Sequence, residues 1–220
     1  MNRIVGLAFV LVLAAALVGL SAPAYANSIS YTTTTPIGST LTDWTSSLSF
    51  TQFDSSLGTL TKVELYLSSS FSTVLTVHNS ASSDSYGYAK TECDVTVRDA
   101  GGNLTGPQLI LYSPQYDYTL AAGGSVTSGT ITQSGVSDNQ YTSAAVLAEF
   151  TGSGVIVLPA STHTSTLLQN TGGNTDASQV TQAELTGTVT YYYTATPEPA
   201  SLTLLGVGAL GLLGYWWRRR

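Results

Sequence analysis

Period-two alternation of apolar and polar residues runs through the middle of the chain. In Thr61–Leu67, Val63, Leu65 and Leu67 fall on one face, with Lys62, Glu64 and Tyr66 on the other. Thr91–Arg98 repeats the pattern, setting Cys93, Val95 and Val97 against Glu92, Asp94, Thr96 and Arg98. Near the end Leu185, Gly187, Val189, Tyr191 and Tyr193 share a face. Such alternation predicts half-buried β-strands. Further strands are predicted over 28–33, 47–53, 71–78, 108–112, 117–120, 125–133, 144–150 and 154–158. Glycine-rich turns at 99–103, 122–125 and 170–174 separate several of them. The polar stretch 161–179 reads as a long surface loop.

Both ends break this pattern. Met1–Arg3 is a short basic start, Ile4–Leu20 is almost wholly apolar, and Ser21–Ala26 is rich in small residues. Ala24 and Ala26 occupy positions −3 and −1 of a cut after Ala26, so residues 1–26 read as a secretory signal peptide for Sec-type export machinery. At the other end Pro197-Glu198-Pro199 precedes an apolar run, Leu202–Tyr215, then Trp216, Trp217 and the cluster Arg218, Arg219, Arg220. With its flanks that run is expected to form one membrane-spanning helix. The indoles would sit at the headgroups and the arginines would hold the cytoplasmic side, fixing a membrane stop and its orientation.

The region between, 27–195, is long enough for one domain with its own core. It is rich in Thr, Ser, Val, Tyr and Gly and poor in long straight-chain residues, a composition for strands rather than helices. Many short strands at regular spacing predict an all-β antiparallel sandwich, jelly-roll-like. The repeated aromatic girdles of an outer-membrane barrel are not seen.

Charge then narrows the partners. The whole chain carries −6, but between the two ends three basic residues face twelve acidic ones, giving −9. So acidic a domain does not bind nucleic acid by phosphate neutralisation. Cys93 is the single cysteine, so no intramolecular disulfide can form; it reads as a small buried hydrophobe.

Catalytic patterns are weak. His78 and His163 are too far apart in sequence to suggest a zinc site, and no Gly-x-Ser-x-Gly elbow is present. Glu92 and Asp94 form an acidic pair but alternate onto one strand face, as a solvated surface would. Asp99 and Asn103 around Gly101 partly echo a calcium loop, without the remaining ligands. No cofactor and no catalytic residue are assigned. Thirteen tyrosines, among them Tyr86, Tyr88, Tyr112, Tyr116, Tyr118 and Tyr141, raise the alternative of an aromatic shelf for sugars.

Two resemblances follow from these residues. Pro197-Glu198-Pro199, the apolar run and the arginine cluster make 196–220 similar to the PEP-CTERM sorting signal of exported proteins of Gram-negative bacteria. That resemblance implies an exosortase partner, processing near the Pro-Glu-Pro motif, and an inner-membrane-tethered intermediate preceding the cell surface or extracellular matrix. It also implies a setting of exopolysaccharide and biofilm, hence a structural or adhesive, non-enzymatic protein. A secreted carbohydrate-binding or carbohydrate-active protein on a jelly-roll scaffold is the alternative. Phe53-Asp54-Ser55-Ser56-Leu57-Gly58-Thr59-Leu60 and the strand 188–193 resemble choice-of-anchor E domains, all-β exported domains that have no assigned catalytic residues. Physically, Asp54 can close an Asx turn there and Gly58 can take a positive φ.

Overall fold

The computed structural model describes residues 36–195, the backbone of Ala26–Thr32, and Gly208, Gly211, Gly214, Trp217 and Arg218 in the tail. Eleven strands are described: β1 (Ala26–Thr32), β2 (Ile37–Leu41), β3 (Thr45–Thr51), β4 (Gly58–Asn79), β5 (Ser85–Val97), β6 (Gln108–Tyr112), β7 (Tyr116–Leu120), β8 (Ser125–Thr127), β9 (Ile131–Tyr141), β10 (Val155–Thr171) and β11 (Thr175–Ala195). One sheet has the order β1-β11-β4-β8, with β2 also on β11 and β9 also on β4. The second has the order β3-β10-β5-β6, with β7 also on β5. All strand pairs named here are antiparallel. The chain adopts an all-β, two-sheet architecture.

Two long β-arches, each crossing from one sheet to the other, organise it. β4 leaves the first sheet at Asn79 and returns as β5 in the second; β10 leaves the second and returns as β11 in the first. Alternate side chains of all four point between the sheets. The larger core gathers Leu48, Phe50, Phe53, Val63, Leu65, Leu67, Cys93, Val95, Leu158, Leu185, Val189 and Tyr191. Phe53 meets Tyr191 edge-on at 5.9 Å between centroids, and Phe150 meets it at 6.2 Å. A smaller core joins Leu75, Val77, Ala89, Tyr118 and Leu120 at the other end. Between the two lies a buried hydroxyl band. Thr73 Oγ1 is 3.0 Å from Thr91 Oγ1 and 2.8 Å from Thr181 Oγ1.

Several expectations change. The strands expected over 61–67 and 71–78 are one strand of 22 residues. Residues 144–149 form the helix α1, where a strand was expected. Ser143 caps it by accepting the Val146 N–H; Ala, Leu and Glu favour helix, and Val146 and Phe150, four apart, both turn into the core. Most of the polar stretch 161–179 is strand rather than loop, broken by a turn where Gly172 and Gly173 take φ of 71° and 61°. Its threonines are good strand formers whose period-two row hydropathy does not reveal.

The expected transmembrane helix is overturned. Among the described residues no helix is long and apolar enough to cross a membrane. The run Leu202–Tyr215 by itself falls short of the roughly 20 residues that a spanning helix needs. With that helix fall the membrane as a partner and the inner-membrane-tethered intermediate. The signal peptide up to Tyr25, including Ala24, lies outside the described residues, as do Pro197, Glu198, Pro199, Trp216, Arg219 and Arg220. Ala26 opens β1, while Trp217 and Arg218 are helical and exposed.

Candidate functional site

The loop after β5 holds the pair considered for calcium. Asp99 is buried, and its carboxylate accepts the backbone N–H groups of Asn103 at 2.8 Å and Leu104 at 2.9 Å. Asn103 Nδ2 donates to Glu149 Oε1 at 2.6 Å, which ties the loop to the end of α1. A Cβ on Gly101 would run into the side-chain ends of Glu149 and Asn103, so a larger residue there would displace their hydrogen bond. Burial pushes the Asp99 carboxyl up, but the hydrogen bonds from Leu104, Asn103 and Glu149 outweigh it and hold it below its ordinary value. Burial and the hydrogen bond to Asp99 push Glu149 up. The Asp99 oxygens thus serve the loop itself. Among the described residues no group of three His, Cys, Asp or Glu side chains is placed to hold a metal. The sequence points to Asp99 and Asn103 but gives no signal for Glu149, which is 50 positions away from Asp99 and joins them only through the fold.

The outer face of the second sheet brings together residues that alternation had placed on single strands. Tyr86, Tyr88, Lys90, Glu92 and Asp94 lie along β5, with Tyr112 of β6 opposite Glu92 and His163 of β10 opposite Asp94. Tyr86 and Tyr112 are 57% and 45% exposed. Lys90 Nζ stands 4.7 Å over the Tyr112 ring, while the Glu92 charge, ahead of burial, raises the Tyr112 hydroxyl. Asp94 Oδ1 is buried and has no hydrogen-bond partner. The other candidate tyrosines divide. Tyr118 and Tyr141 are core residues whose hydroxyls donate to the carbonyls of Gln169 and Thr105, and Tyr116 is half-buried. The shelf thus reduces to Tyr86, Tyr88 and Tyr112.

Across the molecule, the outer face of the first sheet carries a polar groove of about 460 Å³ lined by Ser39, Ser70, Ser72, Thr132, Gln182 and Glu184. Ser70 Oγ donates to Glu184 Oε1 at 2.7 Å. Further along, Glu64 accepts from Lys62, Gln140 and Tyr192, with Lys62 Nζ 3.7 Å over the Tyr192 ring. The histidines stand apart, His78 beside Asp176 at 3.4 Å on the first sheet and His163 beside Asp43 at 3.6 Å on the second. Cys93 is buried, and burial, then Asp94 and Asp43, push its thiol up to about 12.

The domain meets its tail at the end of β11. Asp54 accepts the Ser56 N–H at 2.8 Å, closing the turn before β4. Gly58, at φ 151°, lies so close to the Thr194 carbonyl and Ala195 that a Cβ has no room. β1 pairs Ala26 with Thr194. Both ends of the domain therefore meet at one corner.

At that corner the comparisons with known proteins begin. A family model described as the PEP-CTERM protein-sorting motif matches residues 195–220, so the chain carries this motif near its C-terminus. That motif supports an exported protein processed by an exosortase. No curated protein matches the chain. Among solved structures it is similar to a chain of the T13 IBDV viral particle, at 12% identity and a TM-score of 0.21, over 78% of this chain and 36% of that one. It is also similar to a chain of infectious bursal disease virus Gt strain, at 10% identity and a TM-score of 0.14, over 86% and 51%. This chain spans between a third and about half of those chains. Similarity at that level carries no argument.

Proposed function

We propose that this protein is a non-enzymatic structural or adhesive component of the cell surface or extracellular matrix of a Gram-negative bacterium, acting alongside exopolysaccharide in biofilm. The observation that carries the reading is the sorting motif at 195–220, which begins where β11 ends at Ala195. With no spacer between them, the whole two-sheet domain is the cargo that exosortase processing delivers. Its broad outer faces, rich in Ser, Thr, Gln and Tyr side chains, suit contact with hydrated polymers. The resemblance of Phe53–Leu60 to choice-of-anchor E domains belongs to the same proposal.

A second reading, a carbohydrate-binding protein, is favoured by one feature. Tyr86, Tyr88 and Tyr112 share a face with Glu92, so ring faces for stacking lie beside an acceptor for sugar hydroxyls.

The test is the C-terminal mass of the mature protein from its host, combined with matrix assembly in a deletion strain. A terminus near Pro197–Pro199 and a weakened matrix are expected. An intact Arg220 together with an unchanged matrix overturns the proposal. Binding to purified exopolysaccharide that is lost in Tyr86→Ala/Tyr112→Ala selects the second reading.

A further inference from the structure

The side of the sandwich formed by β10 and β11 is only half covered. On one edge β10 pairs with β5 from Ala160 to Thr171. On its other edge β3 accompanies it only from Val155 to Ser161. The segment Thr42-Asp43-Trp44 then crosses between the sheets as a strap. The Thr162 N–H donates to the Trp44 carbonyl at 3.0 Å, the Thr164 N–H to Asp43 Oδ1 at 2.9 Å, and the Thr42 N–H to the Thr181 carbonyl at 3.0 Å. Asp43 is held at φ 63° to make this crossing.

Beyond the strap, no described strand pairs with that edge of β10. Backbone groups of successive residues point to opposite edges of a strand. Thr162 and Thr164 donate toward the strap, so Thr166, Leu168 and Asn170 direct their N–H and C=O groups out of the open edge. Edges of this kind are normally blunted by lysine, proline or a bulge. Thr164–Thr171 contains no ionisable residue and no proline, and its register against β5 is unbroken. In a domain of charge −9, it is a stretch where two copies can approach without opposed carboxylates.

We propose that β10 is a self-assembly edge: two copies of this chain pair their Thr166–Asn170 segments antiparallel about a two-fold axis, joining the second sheets of both molecules into one continuous sheet. Antiparallel pairing of identical strands is self-complementary, the isologous contact that closes a dimer. Open backbone groups specify an extended strand as occupant, and the uncharged edge favours a second copy over an acidic or basic partner. Copies joined in this way place both sorting corners on one assembly, which suits a matrix component. The proposal does not depend on polysaccharide binding.

The test is sedimentation velocity of the purified chain over a dilution series, paired with hydrogen exchange on the peptide spanning β10. A concentration-dependent dimer is expected, with exchange at Thr166, Leu168 and Asn170 slowed only at high concentration. Thr166→Pro removes one outward N–H without touching the pairing to β5, and is expected to weaken the dimer about tenfold or more. Leu167→Glu, on the solvent face of the edge, sets the two new carboxylates diagonally across the seam, each opposite Gln169 of the other copy, and is expected to weaken it measurably through like charges. It decides the matter if the proline variant melts early. A chain monomeric at every concentration overturns the proposal. So do a dimer protected elsewhere than β10 and a dimer unchanged in Leu167→Glu.

Discussion

Replacing Thr73 by valine tests whether the buried hydroxyl band stabilises the domain or is merely tolerated. Thr73, Thr91 and Thr181 are 1%, 0% and 3% exposed, and Thr73 stands within hydrogen-bond distance of both others. Valine keeps the shape but strands two buried hydroxyls. A stranded buried polar group costs about 1–3 kcal/mol, so with two of them Thr73→Val is expected to cost about 2–6 kcal/mol. Against a total stability of about 5–15 kcal/mol, that is a large loss. Replacing all three by valine removes every hydroxyl together and leaves an apolar bridge between the two cores. The triple variant is expected to lie within about 1 kcal/mol of the parent, because removing both partners of a bond is nearly neutral. Urea unfolding read from midpoints at constant slope measures both. Strictly additive losses, with the triple variant the least stable, refute the reasoning.

Three further outcomes follow from named contacts. Glu149, raised in the fold, contributes stability that is complete below the usual carboxylate range and is lost as pH rises through its folded value. Asp99, lowered, contributes at neutral pH and loses its contribution as pH falls through its folded value. Glu149→Gln keeps an acceptor for Asn103 and removes the first limb, so its melting temperature at neutral pH should exceed the parent's; an equal or lower value contradicts the raised Glu149 carboxyl. Gly187→Ala places a Cβ 2.8 Å from Leu48 Cδ1 and Phe50 Cζ, and should cost about 1–3 kcal/mol by urea unfolding, with no measurable cost as the opposing result. Cys93, buried and pushed up to about 12, should resist a thiol reagent at pH 8 until the domain unfolds; native-state labelling at the rate of a free thiol counts against its burial.

Period-two alternation determined much of this protein in advance, because a strand half-buried between two sheets must alternate. Val63, Leu65 and Leu67, and Cys93, Val95 and Val97, are all buried as their spacing requires. The turn at Asp54 was equally local, set by side-chain hydrogen bonding. The tail motif was readable for a different reason, since a linear signal needs no fold to be recognised.

What the sequence could not determine depends on contacts between distant residues. Only the tertiary structure seats α1 in the core, because the apolar side chains of 144–150 suit either a helix or a strand until Phe150 meets Tyr191. Only it joins 161–179 into two strands, since β10 and β11 gain their hydrogen bonds from β5 and β4, each more than 60 positions away. Glu149 reaches Asn103, and Tyr112 comes to lie opposite Glu92, by the same long-range pairing. The open edge of β10 is the clearest case. A strand's sequence states its periodicity, whereas the absence of a neighbour is a property of the sheet.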